Sequence, residues 1–258
     1  MTLIDDAQLA ARLVTDAARL AAQMRAEGLE VARKTSVSDV VTDADHAAEK
    51  LVVETLTTER PDDGLLGEEG AAREGTSGRR WVIDPVDGTY NFASGSDYWC
   101  SAIALTIDDV AVLGAVAHHA SGTVWVGGPD LPTTANGQPI EGRQDGELAG
   151  LSVASYLHPS GIAHDQVREP FLRAASGAAT MRMLGSGSMD LVGVATGRIG
   201  AWFQHSTPAW DWLPGAAIIA GAGCSAVQLE LGGLLWSVAG PPTATRELTA
   251  RLTGEVPA

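Results

Sequence analysis

Trp81-Val82-Ile83-Asp84-Pro85-Val86-Asp87-Gly88-Thr89-Tyr90-Asn91-Phe92 is the stretch on which the reading of this chain turns. Trp81, Val82 and Ile83 predict a short buried strand that ends on Asp84. Pro85 stiffens the exit, and Asp87 returns before a glycine and a helix start. Two carboxylates thus converge at the carboxyl end of a strand, where layered α/β proteins build their sites. Carboxylates held side by side raise each other's pKa unless a cation lies between them, so the pair points to a hard metal bound through oxygen, with Mg²⁺ the first candidate. Gly88 permits close backbone approach, and the Gly88 and Thr89 amides at a helix start suit an anionic oxygen. Taken alone, Asp-Pro followed by Asp-Gly is also a common solvated turn, so the weight falls on its company.

That company is acidic. Leu65-Leu66 predicts a second buried strand, followed by Gly67-Glu68-Glu69. Trp210-Asp211 places another carboxylate at a helix start inside an apolar segment. Burying Asp211 among Trp210, Trp212 and Leu213 is costly unless it caps the helix or binds a cation, and both readings stand. Upstream, Leu9, Leu13, Ala17, Leu20 and Met24 recur at helical spacing over Asp5 to Glu27, with Asp5 and Gln8 placed like a capping box and Gly28 as the stop. A second helix is expected from about Asp43 to Thr58, with Thr42 as N-cap and Ala44, Ala48, Leu51, Thr55 and Leu56 on one face.

Downstream, Trp99 to Ile107, Val110 to Ala117 and Thr123 to Val126 read as an antiparallel meander, and Asn136-Gly137 as a further turn. The polar stretch Glu141 to Gly150 suggests a boundary between an amino-terminal α+β half, residues 1–145, and a carboxyl-terminal α/β half, residues 146–258. In the second half, strands 151–155, 180–184 and 201–203 alternate with helices near 165–175, 188–196 and 210–222, the pattern of a layered α/β structure.

With 258 residues, 45% of them hydrophobic, the chain has material for a real core and is not a disordered tail. Its 17 basic and 32 acidic residues give a formal net charge of −15, and its only lysines are Lys34 and Lys50. No basic cluster is present to neutralise a phosphate backbone, so nucleic acid is excluded as a partner. Cys100 and Cys224 are too few and too far apart for a disulfide framework. The amino terminus carries Asp5 and Asp6 where a secretory signal needs positive charge, and a cytoplasmic location is expected. The uncharged stretch Trp212 to Leu229 contains Pro214 and several glycines and reads as a buried helix followed by a strand, not a membrane span.

In order and approximate spacing, these motifs resemble the inositol monophosphatase family of Mg²⁺-dependent, lithium-sensitive phosphatases. The matching residues are Gly67-Glu68-Glu69, Asp84-Pro85-Val86-Asp87-Gly88-Thr89 with Asn91-Phe92, and Trp210-Asp211 followed by Gly215. Asp39-Val40-Val41-Thr42-Asp43-Ala44-Asp45 is similar to the family's amino-terminal motif, so the resemblance spans nearly the whole chain. It implies a layered αβαβα sandwich, two or three Mg²⁺ ions and a homodimer. It also implies metal ligands at Glu68, Asp84, the Val86 carbonyl, Asp87 and Asp211, with Asp45 joining through water. By the same resemblance Glu68 and Thr89 orient and activate the attacking water, and the Gly88 and Thr89 amides hold phosphate. Asp87, Gly88, Thr89, Gly185, Gln204 and Asp211 are the implied substrate contacts.

Three places depart from the family's pattern. Gln204 stands seven residues before Asp211, where a glutamate often contacts the substrate; a neutral amide still bonds hydroxyls but attracts no cation. Leu184-Gly185-Ser186-Gly187-Ser188 matches the substrate loop loosely, and Leu213-Pro214 replaces the small residues that usually follow Trp-Asp. The expected activity is hydrolysis of a small polyol phosphate such as inositol monophosphate. Histidinol phosphate, a sugar bisphosphate and a nucleotide 3′-phosphate are the alternatives within the family. From another class, a regulatory module that keeps the fold without turnover is disfavoured by Glu68, Asp84, Asp87, Thr89 and Asp211 all being present.

Other features carry less. Gly221-Ala222-Gly223-Cys224-Ser225-Ala226 fits a dinucleotide fingerprint but follows a helix-like segment. His118-His119 reads as a strand end, and His205 lies beside the Gln204 position. Trp81, Trp99, Trp202 and Trp212 read as core.

Overall fold

The computed structural model describes residues 2–29, 31–33, 40–142 and 144–255; Asp39 and Lys34 lie outside them. Seven α-helices are found among the described residues: α1 (Leu3–Glu27), α2 (Asp43–Glu59), α3 (Thr89–Ala93), α4 (Asp165–Ala175), α5 (Gly187–Ala195), α6 (Ala209–Gly221) and α7 (Pro242–Thr253). The larger of two main sheets has eight strands in the order Gln138–Pro139, Leu131–Ala135, Thr123–Gly128, Val110–His118, Cys100–Ile107, Arg79–Asp87, Gly64–Gly67, Ala72–Arg73. The smaller has five, in the order Thr180–Arg182, Ser152–Ala154, Ala201–His205, Leu234–Gly240, Ser225–Leu231.

Side-chain burial arranges these elements in five layers. α1 and α2 bring Leu13, Val52 and Leu56 onto Trp81, Ile103 and Leu113 of the large sheet. Between the sheets, α5 and α6 supply Leu191, Trp212 and Ile218 against Val116 and Trp202. On the outer face of the small sheet, Phe171 of α4 and Leu248 and Leu252 of α7 cover Phe203 and Trp236. The result is the expected αβαβα sandwich, in which each amphipathic helix buries its stripe against a sheet face.

Local chemistry explains where sequence and structure agree and where they part. α1 starts at Leu3 because Thr2, not Asp5, is its cap. Thr2 Oγ1 accepts the Asp5 N–H at 3.2 Å while the Asp5 carboxylate accepts the Thr2 N–H at 2.8 Å, so the capping pair is Thr2 and Asp5 instead of Asp5 and Gln8. Gly28 ends the helix at φ +112° as expected. The three-strand meander is present and runs on through a hairpin whose Asn136 and Gly137 both have positive φ. The segment after Asp211 is a helix followed by a strand, and among the described residues no helix is long and apolar enough to cross a membrane. The strand Leu234–Gly240, which closes a hairpin with Ser225–Leu231, and α7 were not anticipated. Ser225–Leu231 lies at the edge of its sheet and is largely open to solvent, so it shows no clean apolar face.

Buried charge ties the first layers together. Asp6 of α1 accepts from Arg60 at 2.9 and 3.0 Å and from Arg79 at 2.7 Å, and Arg79 and the Trp81 indole both donate to Asp63.

The backbone at Pro214 packs tightly on the large sheet, a contact that does not depend on the Leu213-Pro214 side chains. At Gly114 the large sheet comes so close to α6 that an added Cβ would stand 2.0 Å from the Pro214 carbonyl oxygen. This backbone contact sets the height of α6, which carries Asp211 in its first turn. Gly114→Ala is therefore expected to destabilise the protein by about 1–3 kcal/mol, the usual cost of overpacking. A urea titration checks this, and an unchanged midpoint would show that helix and sheet separate without penalty.

Candidate active site

The Arg79–Asp87 strand is buried from Trp81 onward and meets Cys100–Ile107 in antiparallel register until it bulges. Asp84 faces Ala102 and Asp87 faces Cys100, so three steps on one strand oppose two on the other. The bulge, at a proline that has no N–H to give, turns both aspartates toward one cleft. Gly88 follows at φ +94° and serves as N-cap of α3. A side chain there would meet the Gly185 carbonyl and the Ser186 Cβ at 3.1 Å, so glycine is required by conformation and by space.

Glu68 comes from the parallel neighbour. Gly64–Gly67 pairs with the Arg79–Asp87 strand, and the Glu68 N–H donates to the Ile83 carbonyl at 3.1 Å, so Glu68 and Asp84 leave adjacent strand ends. Asp211 is the third residue of α6, whose N-cap is Pro208, so Asp211 is not itself the N-cap. Gln204 sits near the end of Ala201–His205 and lines the same cleft, as do Val86, Thr89 and Gly185. The cleft encloses about 560 Å³, and among its described lining residues none is basic.

Electrostatics follow from this convergence. Burial raises the Asp84 pKa well above the ordinary carboxylate range, and the charges of Glu68, Asp87 and Asp211 push it further. The proximity of the Asp211 side chain acts in the same direction. The Asp87 pKa is raised by burial against hydrogen bonds that favour its charge. Those bonds come from α5: Gly187 N–H reaches Oδ1 at 3.1 Å and Ser188 N–H reaches Oδ2 at 2.5 Å. The amino terminus of a helix in the second half thus holds a carboxylate of the first.

Asp45 is wholly buried and does not line the cleft. It lies behind Thr89, accepting from the Thr89 hydroxyl at 3.0 Å and from the Thr42 N–H at 2.9 Å, and burial raises its pKa. The Thr89 hydroxyl stands 3.0 Å from the Val86 carbonyl as well.

Several residues at the cleft were given no role from the sequence, although Asn91 belongs to the matching motif. Asn91 donates to the Tyr98 and Leu184 carbonyls at 2.8 and 2.7 Å and so fastens α3 to the 184–188 loop. Asp190 takes the Tyr98 hydroxyl at 2.7 Å, and burial pushes its carboxyl pKa up to about 8. Tyr90, Tyr156 and Met183 line the cleft although 58%, 40% and 52% exposed. Spacing could have suggested Asp190, four residues beyond Ser186 on an otherwise apolar helix; the others come together only through the fold.

His205 does not line the cleft. Its ring packs on Trp236 with centroids 5.2 Å apart, and burial lowers its pKa. His118 is engaged by Ser121 and by the Asp97 carbonyl. Gly221 to Ala226 connects a helix to a strand, the reverse of the order a dinucleotide fingerprint needs. Cys100 and Cys224 form no disulfide, and Trp81, Trp99, Trp202 and Trp212 are core.

The donor set suits a hard cation in charge and in element: carboxylates and a backbone carbonyl, all oxygen, with no basic side chain lining the cleft among the described residues. Among those residues no three His, Cys, Asp or Glu side chains stand in ready-made ligating geometry, so the fit rests on donor chemistry and convergence.

Comparison with known proteins gives the same direction. The sequence pattern of the inositol monophosphatase family matches residues 4–257. Inositol-1-monophosphatase of Mycobacterium leprae is 32% identical over 274 residues, covering 95% of this chain and 92% of its own. Histidinol-phosphatase of Mycobacterium tuberculosis is 34% identical over 211 residues, 78% of this chain and 76% of its own. Among solved structures, the extragenic suppressor protein suhB from Bartonella henselae shares the fold with a TM-score of 0.86 at 23% identity, covering 99% of this chain and 100% of its own. With this match along almost its full length, the chain belongs to the inositol monophosphatase family of phosphoric monoester hydrolases.

Proposed function

We propose that the protein is a Mg²⁺-dependent phosphomonoesterase that hydrolyses a small polyol phosphate, such as inositol monophosphate, by direct attack of water. The observation that carries this reading is the convergence of Glu68, Asp84, Asp87 and Asp211 on one cleft beside Gly88 and Thr89. Two or three Mg²⁺ ions held by Glu68, Asp84, the Val86 carbonyl, Asp87 and Asp211 would polarise the phosphoryl group, ease deprotonation of water and stabilise the leaving alkoxide.

The chain's own groups do the rest. Thr89 has one hydroxyl proton and two acceptors at 3.0 Å, Asp45 and the Val86 carbonyl. Donating that proton to Asp45 leaves a lone pair on Thr89 Oγ1 to accept one from the attacking water, with Glu68 in the same cleft to orient it. Burial makes Asp45 a stronger base than an exposed aspartate, as a proton relay requires. The Gly88 and Thr89 amides bind the phosphoryl oxygens. On this reading the protein is a cytoplasmic homodimer whose partner is a small phosphorylated metabolite, with neither nucleic acid nor a membrane involved. Phosphate release screened over about twenty phosphorylated metabolites, with and without Mg²⁺, tests it. No release from any of them would overturn the proposal.

A second reading, histidinol phosphate as substrate, is favoured by one observation: Tyr90, Tyr156 and Met183 present apolar surface at the cleft mouth, suited to a flat ring. Gln204 weighs against it, because a neutral amide bonds hydroxyls but gives no charge attraction to an amine. Charged hydrogen bonds are worth about 1.5–3 kcal/mol and neutral ones about 1, so the bias against the amine is about two- to thirtyfold. The expected outcome is a higher kcat/KM for the polyol phosphate, with Gln204→Glu narrowing the gap. A wild-type preference for histidinol phosphate, or an unchanged ratio in the variant, would show that Gln204 does not set selectivity.

A further inference from the structure

We propose that Glu49 is a positioning residue for the cation site: its carboxylate clamps the turn that carries Glu68. The proposal rests on the reading of Glu68 as a cation ligand. Glu49 lies one helical turn beyond Asp45 on α2, is 5% exposed and does not line the cleft. One of its oxygens accepts the Glu69 N–H and the other the Ala71 N–H, both at 2.9 Å.

The turn is built around that carboxylate. Gly67 N–H closes it on the Ala71 carbonyl at 2.7 Å, and Gly70 adopts φ +106°. Gly67 has no room for a side chain, since a Cβ would stand 2.2 Å from Glu49 Oε2. The backbone around Glu68 is therefore pinned on both sides, by its own N–H on Ile83 and by the next residue's N–H on Glu49. A carboxylate bonded by two backbone donors is a stiff support. The same helix also contacts the Asp87-Gly88-Thr89 turn through the Asp45 bond to Thr89, so α2 braces both the Glu68 turn and the strand end at Asp87.

Groups that orient a metal ligand from behind typically change metal affinity about 10- to 100-fold when removed. In Glu49→Gln the amide N–H₂ faces one of the two backbone donors, so one clamp contact is lost with little change of volume. The test is calorimetric titration of the substrate-free protein with Mn²⁺, together with circular dichroism to establish folding.

Glu49→Gln is expected to bind Mn²⁺ about tenfold more weakly while remaining folded. Gly67→Ala, which pushes on the same carboxylate from the other side, is expected to weaken binding as well. In a Glu49→Ala background, Gly67→Ala should add little, because the group it strikes is gone. A merely structural glutamate would lower the melting temperature and leave the Mn²⁺ affinity of the folded variant unchanged. Wild-type affinity in folded Glu49→Gln, in Gly67→Ala, or simple additivity in the double variant overturns the proposal. Absence of Mn²⁺ binding to the wild-type protein overturns the metal-assisted reading itself, and this inference with it.

Discussion

Excess EDTA is expected to abolish phosphate release, Mg²⁺ to restore it, and Li⁺ to inhibit the restored activity. The cleft gathers Glu68, Asp84, Asp87 and Asp211, and among its described lining residues there is no lysine, arginine or histidine to balance them. A phosphomonoester brings roughly two more negative charges at neutral pH, as a phosphorylated side chain does. Two unit charges 4 Å apart repel by about 4 kcal/mol at an effective dielectric of about 20, so a dianion facing several carboxylates meets more repulsion than two backbone amides can offset. On the proposed mechanism cations are thus required for binding as well as for chemistry. Li⁺ resembles Mg²⁺ in size with half its charge, so it suits the same oxygens and polarises a phosphoryl group less. Full turnover in excess EDTA would refute the metal mechanism and leave the carboxylate cluster without an explanation.

The parts of this site that could be read from sequence are those written locally. Asp84 and Asp87 are three residues apart, so strand, proline, turn and helix start fall within one short window, and a single apolar run shows which end of the strand they occupy. Glu68 and Asp211 each carry their own local signature, the end of an apolar strand and the start of an apolar helix. The contacts between those windows were not legible. Gly187 and Ser188 meet Asp87 from about a hundred residues away, and nothing in a Gly-Ser step announces an amide pair aimed at a carboxylate. Glu49 was hidden differently: on a helix with Asp45, His46 and Lys50 it reads as one more solvated charge, and only the fold turns it inward under the Glu68 turn. The cap of α1 was misplaced by three residues because Thr2-x-x-Asp5 and Asp5-x-x-Gln8 overlap, and propensity alone does not rank them. The five-layer order is non-local throughout, since it depends on which face of each sheet a helix covers.

Asp87→Asn should lower kcat by at least ~10²-fold without unfolding the protein, and two measurements on one variant separate these consequences. On the proposed reading the carboxylate would contribute charge to the cation site, and it accepts the Gly187 and Ser188 N–H groups from α5. Asparagine has nearly the same shape, and its one carbonyl oxygen can accept one of those donors while its amide faces the other. The lost hydrogen bond costs about 1–3 kcal/mol. Against this, the substitution removes a negative charge that raises the pKa of neighbouring Asp84, and relief of that repulsion offsets part of the cost when no cation is bound. The melting temperature in EDTA should therefore change little, while the stabilisation added by Mg²⁺ should shrink together with kcat. A purely structural Asp87 would give the opposite pattern, a lower melting temperature in EDTA and near wild-type turnover in the fraction that stays folded. That second pattern, or a kcat close to that of the wild-type protein, would remove Asp87 from the proposed cation ligands.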